Sequence, residues 1–266
     1  MTEVHDFQTH LFAVLNREFE IPALDALIYA LAPTRSAVPI TETAIAIDAN
    51  VFLRLSTHPK AADIIDYLTS AHSAPVILPG QVIQEFWNNQ LQAVDSIASG
   101  LRKRFDQLRS DIEKIDGSFG DFANEFQELT TRFSDEFGYT YDEANVKRTQ
   151  QLLSVMRTRS IVSFCSRSRF ADIALNRKRT KTPPGFRDDG DGDFFVWIDL
   201  LLALHIALST GQKFSRVALI SHDKKIDWMR EGTPHPILIA EMRALFDVPF
   251  EILSLQQLSQ EVGAAT

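Results

Sequence analysis

The chain has 266 residues, 45% of them hydrophobic and 23% charged, which is the balance of a soluble globular protein with length for one large domain or a core carrying an insertion. A single cysteine, Cys165, excludes an internal disulfide and a cysteine-rich zinc centre; short, interrupted apolar stretches and the acidic start Met1-Thr2-Glu3-Val4-His5-Asp6 predict a cytoplasmic protein with no membrane span or secretory signal. The formal net charge of −8 would disfavour a polyanionic partner if evenly spread, but Lys147 to Lys181 hold ten basic residues against one acid, Asp172.

That segregation is expected of a nucleic-acid binder. The alternative is a solvated helical face, which ordinarily mixes both signs.

Along the chain, Leu11, Phe12, Val14 and Leu15, then Leu24, Leu27, Ile28 and Leu31, recur at helical spacing around a break at Pro22. This predicts an N-terminal bent helix or helical hairpin. Pro33 and Pro39 mark a loop into a first strand, Ala44–Asp48. An amphipathic helix over Lys60–His72 follows, then a strand at Val76–Leu78, ended by Pro79-Gly80, and a helix opening at Gln81. The β-α-β-α progression implies a parallel sheet with right-handed crossovers.

From about Ala93 to Arg179 no strand stands out; polar sequence with helical periodicity (Leu101, Phe105, Leu108, Ile112) reads as a helical insertion. The α/β pattern resumes after Pro183-Pro184-Gly185. An apolar helix runs from Asp193 to a cap at Gly211, then come a strand at Val217–Ser221, a helix near Ile237–Leu245 and a strand near Phe250–Leu253. The expected fold is α/β, a parallel sheet flanked by helices, with its core divided between 43–92 and 182–256. An N-terminal helical segment occupies 1–42, and a large helical insertion, basic in its second half, occupies 93–181.

Acids stand where strands should end: Asp48 after Ala44-Ile45-Ala46-Ile47, Glu85 shortly after the second strand, and Asp223 after Val217–Ser221. Ligands of open α/β sheets gather outside these carboxyl ends. Carboxylates crowded there raise one another's pKa unless a cation lies among them. Oxygen donors without a cysteine cluster or paired histidines suit Mg²⁺ or Mn²⁺ rather than zinc.

Asp48, Glu85, Asp193 and Asp223 match, in order, the four acids of the PIN-domain nucleases. Three stretches resemble a bacterial PIN-like branch with an inserted helical region: Pro183-Pro184-Gly185-Phe186-Arg187-Asp188, Gly192-Asp193-Phe194-Phe195-Val196-Trp197 and Asp223-Lys224-Lys225-Ile226-Asp227-Trp228. The resemblance covers about 44–91 and 182–253. It implies a PIN-like fold and a metal-dependent phosphodiesterase acting on nucleic acid, an endoribonuclease, with those four acids as catalytic metal ligands. Asp188 is a candidate fifth ligand. For many bacterial relatives it implies a toxin or antiphage-defence role, with an antitoxin or defence-system protein as partner.

The chemistry is consistent with the residues: one or two Mg²⁺ or Mn²⁺ ions supply both a nucleophile at neutral pH and charge compensation in phosphodiester hydrolysis. Candidate phosphate contacts are Asn50, Arg177, Lys178, Arg179, Lys181 and Lys224; Asn50 reads equally as a helix cap. Asp188, beside Asp189 and Asp191, reads equally as part of a flexible turn. Trp87 and Trp197 are expected in the core, Asp227 and Trp228 in local packing, and His222 in a structural role. RNA is the expected substrate, with a flap-endonuclease-like DNase the alternative, since phosphate contacts by Lys and Arg are largely blind to sugar. A haloacid-dehalogenase-like phosphatase needs a second acid where Asp48-Ala49-Asn50 has none. A Rossmann reading lacks its glycine-rich turn, and a catalytically silent nucleic-acid-binding module is the non-enzymatic alternative.

Overall fold

The computed structural model describes residues 2–32, 36–55, 58, 60–114, 122–137, 143–221 and 226–265. Its strands are β1 (Thr43–Ile47), β2 (Val76–Pro79), β3 (Ser160–Ser163), β4 (Arg216–Ile220), the two-residue pair β5 (Met229–Arg230) and β6 (Thr233–Pro234), and β7 (Phe250–Leu253). Five of them form one parallel sheet in the order β3-β2-β1-β4-β7, while β5 and β6 make a separate antiparallel hairpin. Every residue of β1, β2 and β4 is buried, as continuous apolar runs covered on both faces require. Ile45 pairs with Val76 on one side and Ala218 on the other, and the Asp48 amide extends the ladder by donating to Ile220 O at 3.0 Å.

The strand order has a consequence for function. The chain leaves β1 toward β2 and β3, then returns across the sheet to β4 and β7. The topological switch point therefore falls between β1 and β4, where such sheets open a crevice at their carboxyl edge.

The helices are α1 (Thr2–Leu15), α2 (Ala23–Leu31), α3 (Ala49–Leu55), α4 (Ala61–Asp66, continued by a π turn over Tyr67–Ala71), α5 (Gly80–Glu113), α6 (Phe122–Phe137), α7 (Glu143–Arg159), α8 (Arg167–Thr180), α9 (Gly192–Ser209), α10 (Pro236–Phe246) and α11 (Leu255–Ala265). In one group α1 packs on α9 and α10, and α10 on α2; in another α4 packs on α11 and α7 on α3. Right-handed crossovers put the two groups on opposite faces of the sheet. By length and composition α9 is apolar enough to cross a bilayer. Here Trp197, Ile198, Leu200, Leu201 and Leu204 are fully buried, packed against β2, β3, α1 and α5.

Residues 160–180, expected in the helical insertion, belong instead to the α/β core. Ser160–Ser163 pairs in parallel with Val76–Pro79, and Phe170, Ile173 and Ala174 of α8 join the main core. The strand escapes sequence reading because it is a four-residue edge strand with only two apolar residues, of which Val162 is exposed. Trp87, expected in the core, is 69% exposed on α5. Trp197 is buried as expected; its indole N–H donates to Glu241 Oε2 at 2.8 Å, and its ring packs 5.1 Å from that of Phe250.

Glu241 of α10 is fully buried and holds three parts of the chain. Besides Trp197 it accepts from Arg177 of α8 at 2.8 Å and from Arg17, in the α1–α2 connection, at 2.7 Å. Arg177 also donates to the Pro183 carbonyl and lies 5.5 Å from the centre of the Phe194 ring. A buried carboxylate is tolerable when cations and hydrogen bonds surround it in this way.

His72 gives the fold a pH dependence. It is 2% exposed; one ring nitrogen lies 3.2 Å from the Tyr67 hydroxyl, and the other has no hydrogen-bond partner among the described residues. Burial, aided by the nearby Arg159 guanidinium, pushes its pKa down from 6.5 to about 4. Because the unfolded chain takes up this proton first, stability is full above pH 6.5 and falls as pH drops toward about 4. The loss expected from this group over that window is up to about 3 kcal/mol. Urea unfolding of the parent and of His72→Gln should converge in acid sensitivity only above pH 6.5; equal slopes between pH 6 and pH 4.5 would show that His72 does not contribute.

Candidate functional site

Three of the four predicted acids are described: Asp48 lies at the carboxyl end of β1, and Glu85, in the helix after the neighbouring β2, lies at the start of α9 next to Asp193. Asp48 follows β1 directly. Its Oδ1 accepts from the Ala49 amide at 2.6 Å, and its Oδ2 accepts from Asn50 Nδ2 at 2.8 Å and from the Ser221 hydroxyl at 2.7 Å. Ser221 is the first residue after β4, so this bond ties together the ends of the two strands that flank the switch point. Asn50, which sequence alone left open, lies in the first turn of α3 with its amide turned back onto the acid. A carboxylate has about four lone-pair positions; three are directed at these donors, which fixes the group's orientation at the crevice.

Glu85 lies in the second turn of α5, which starts where β2 ends. Gln81, one turn earlier, donates to Glu85 Oε1 at 3.1 Å, and that oxygen rests against the start of α9. A Cβ placed on Gly192 would stand only 2.5 Å from it. A side chain at residue 192 would displace this carboxylate from the helix, and the next residue is Asp193. Both acids sit at the N-terminal end of an 18-residue helix, whose unpaired amides and dipole favour negative charge. The Pro183-Pro184-Gly185 loop abuts the same point. Gly185 has φ +79°, a Cβ there would meet Asp193 Cβ at 3.0 Å, and its amide donates to Asp227 Oδ2 at 3.1 Å. Asp227 and Trp228 are buried, holding this loop and stacking edge-on to Trp197, the packing role expected of them.

Below the acids is a residue that sequence reading passed over. Asp199, about two turns into α9, is fully buried. It accepts from the Gln81 amide at 2.9 Å, from the Cys165 amide at 2.7 Å, and from both terminal nitrogens of Arg167 at 2.8 Å each. It thus joins the ends of β2 and β3 to α9. Arg167 lies 4.3 Å from the centre of the Phe195 ring and 3.4 Å from Gln81 Oε1. A continuous set of contacts therefore runs Asp199–Arg167–Gln81–Glu85. The signal was available: a lone acid inside the apolar run Phe194–Ala203 has to be paired.

Of the predicted phosphate contacts, Arg177 is withdrawn. Its guanidinium is 4% exposed and engaged by Glu241, because the helix face it occupies packs inward. Lys178 pairs with Asp191 at 2.9 Å and donates to the Asp189 carbonyl at 2.7 Å, while Arg179 and Lys181 are exposed. The Asp188 amide lies 3.4 Å from the Gly185 carbonyl, in the same loop. Asp223, Lys224 and His222 lie outside the described residues.

Among the described residues, no group of three or more His, Cys, Asp or Glu side chains is close enough to hold a metal ion. In kind, the donors fit a hard cation: Asp48, Glu85 and Asp193 offer only oxygen, and Asn50 and Ser221 add neutral polar groups. Comparison with protein-family models, curated proteins and solved structures finds no match to this chain.

The Arg167–Asp199 pair yields a stability test. Removing either partner leaves a charge behind, so Asp199→Ala and Arg167→Met should each cost about 3–5 kcal/mol, Arg167→Met more than its exposure suggests. The double variant should lose less than the sum of the two, by roughly 1–3 kcal/mol of coupling. Simple additivity in urea unfolding would mean that the pair is not acting as a unit.

Proposed function

We propose that this chain is a metal-dependent phosphodiesterase of PIN-like type that cleaves nucleic acid, with RNA as the leading substrate. The consideration that supports this reading best is topological: Asp48 follows β1 at the switch point, and Glu85, in the helix after the neighbouring β2, lies at the start of α9 next to Asp193. There Asp48 is oriented by Asn50 and Ser221, and Glu85 is laid against the residue that precedes Asp193. Carboxylates far apart in sequence that offer only oxygen donors at the carboxyl edge suit a hard divalent ion.

In this reading Asp48, Glu85 and Asp193 hold Mg²⁺ or Mn²⁺, with Asp223 completing the set. The ion supplies charge compensation and a nucleophile at neutral pH. The chain's own residues do the rest. Ser221 and Asn50 keep the Asp48 carboxylate turned into the crevice, and Gln81 keeps the Glu85 carboxylate in place. Exposed cations near the crevice, Arg179 and Lys181, would hold the flanking phosphates.

The test is incubation of the purified protein with end-labelled single-stranded RNA and DNA in Mg²⁺ or Mn²⁺. Cleavage by the parent, lost on chelation and lost in Asp48→Asn and Asp193→Asn, is the expected result. The same ions should raise the melting temperature of the parent and raise that of Asp193→Asn far less. Cleavage that persists in both variants, or equal thermal stabilisation of parent and variant, would refute the assignment of these acids. Preference for DNA over RNA would redirect the reading to the DNase alternative.

A further inference from the structure

The surface of α2 is unusual for an exposed helix. Leu24, Leu27, Ile28 and Leu31 fall at i, i+3, i+4 and i+7, the spacing of one helical stripe, and are 69%, 45%, 59% and 79% exposed. The opposite side of the helix is already packed, with Ala26 fully buried against α10. Three of the stripe's residues form one wall of a groove of about 1440 Å³, closed by the N-terminus of α10, the β5–β6 hairpin and the loop after α8. A groove of that size holds roughly 18 Å of an α-helix about 10 Å across, or about three turns. Its charged lining residues are Lys181, Arg187, Arg230 and Glu231, with Arg230 and Glu231 facing each other at 4.0 Å, so that Lys181 and Arg187 carry its net positive charge. Neither Lys181 nor Arg187 is in an ion pair among the described residues.

We infer that this groove docks an acidic amphipathic helix of another protein. The apolar face of that helix would lie along Leu24, Leu27 and Leu31, and its carboxylates would meet Lys181, Arg187 and Arg230. This is the helix-in-groove mode, in which anchors are read at helical spacing. A second copy of the chain is the poorer occupant, because a two-fold contact sets the same patch against itself and these cations against one another. A nucleic-acid strand is poorer too: among the described lining residues the apolar ones are mostly aliphatic, with Phe186 and His235 the rings, where strand-binding surfaces offer rows of stacking platforms. The groove adjoins the crevice, since Phe186 and Arg187 directly follow Gly185, which abuts Asp193. A docked helix would therefore lie beside the acids, although the inference does not require them to be catalytic.

The experiment uses the full chain and two fluorescent synthetic helices of about three turns, identical in their leucine stripe, one flanked by glutamates and the other by lysines. In anisotropy titrations the glutamate peptide should bind saturably and the lysine peptide at least about tenfold more weakly. The double variant Leu24→Gln/Leu31→Gln should weaken binding of the glutamate peptide by about tenfold or more, with an unchanged melting temperature because both side chains are exposed. Lys181→Glu/Arg187→Glu should reverse the preference between the peptides. No saturable binding of the glutamate peptide, equal binding of both peptides, or indifference to the leucine variant overturns the inference. So does displacement of the bound peptide by a single-stranded oligonucleotide, which would assign the groove to nucleic acid. A dimer in sedimentation that the leucine variant dissolves would assign it to a second copy.

Discussion

A buried carboxylate on a helix that is otherwise apolar holds the carboxyl edge in shape. Asp199 has no contact with solvent, yet it receives two backbone amides and a two-pronged guanidinium. The donors come from three parts of the chain: the first turn of α5, the second residue after β3, and the start of α8. Without a partner such a group would be too costly to keep charged inside a protein. With four donors it becomes a clamp that the sheet cannot slip past, because any shift of α5 or β3 along α9 breaks a charge-assisted bond. The position of Glu85 follows from this, since the residue that donates to Asp199 through its amide also donates to Glu85 through its side chain.

Glu241 acts in the same way on the other flank of α9, binding Trp197, Arg177 and Arg17. Both clamps bear on the N-terminal half of α9, one through its own Asp199 and the other, from α10, through Trp197. Together they fix where the first turn of α9 emerges, and so where Asp193 stands relative to the ends of β1 and β4. The Pro183-Pro184-Gly185 loop is held by the same system, through Arg177 to the Pro183 carbonyl and Asp227 to the Gly185 amide. The geometry of the crevice thus depends on buried ionic contacts well outside it. Their role is to specify one arrangement, since well-packed apolar groups of similar size often give comparable stability.

This division also explains what could and could not be read from the sequence. β1, β2, β4 and β7 announce themselves as short apolar runs between polar residues, and the acids that follow them fall at the carboxyl edge by simple topology. β3 does not, because an edge strand of four residues carries almost no periodic signal. Arg177 was misread because a cation in a basic run looks like surface until its partner, 64 residues away, is placed against it. Trp87 was misread in the opposite sense: tryptophan is usually buried, and its exposure on α5 depends on how far that helix extends beyond the sheet. Asn50 is legible as a polar group two residues after Asp48, but its convergence with Ser221 on a single oxygen of Asp48 is a property of strand register.

The placement of the clamps revises what the basic stretch contributes. Counted along the sequence, Lys147 to Lys181 is a block of strong positive charge. In the fold, Arg167 answers Asp199, Arg177 answers Glu241, and Lys178 answers Asp191. Arg159 serves the carbonyls of Leu68 and His72, and Arg169 the hydroxyl of Thr9. Part of the segregation therefore arises because the α/β core places its acids on α9 and α10 and their cations on α8. An ion pair presents little net charge at a distance, so these residues add less to the field over the crevice than their number implies. Within the stretch Arg157, Arg179 and Lys181 are exposed; outside it Arg187 is exposed, and Arg230 lies 4.0 Å from Glu231. Lys181, Arg187 and Arg230 border the groove beside α2, and the loop that carries Arg187 abuts Asp193. An acidic ligand at the groove is therefore expected to meet the cations of the loop after α8 and the β5–β6 hairpin, which a count along Lys147 to Lys181 does not single out.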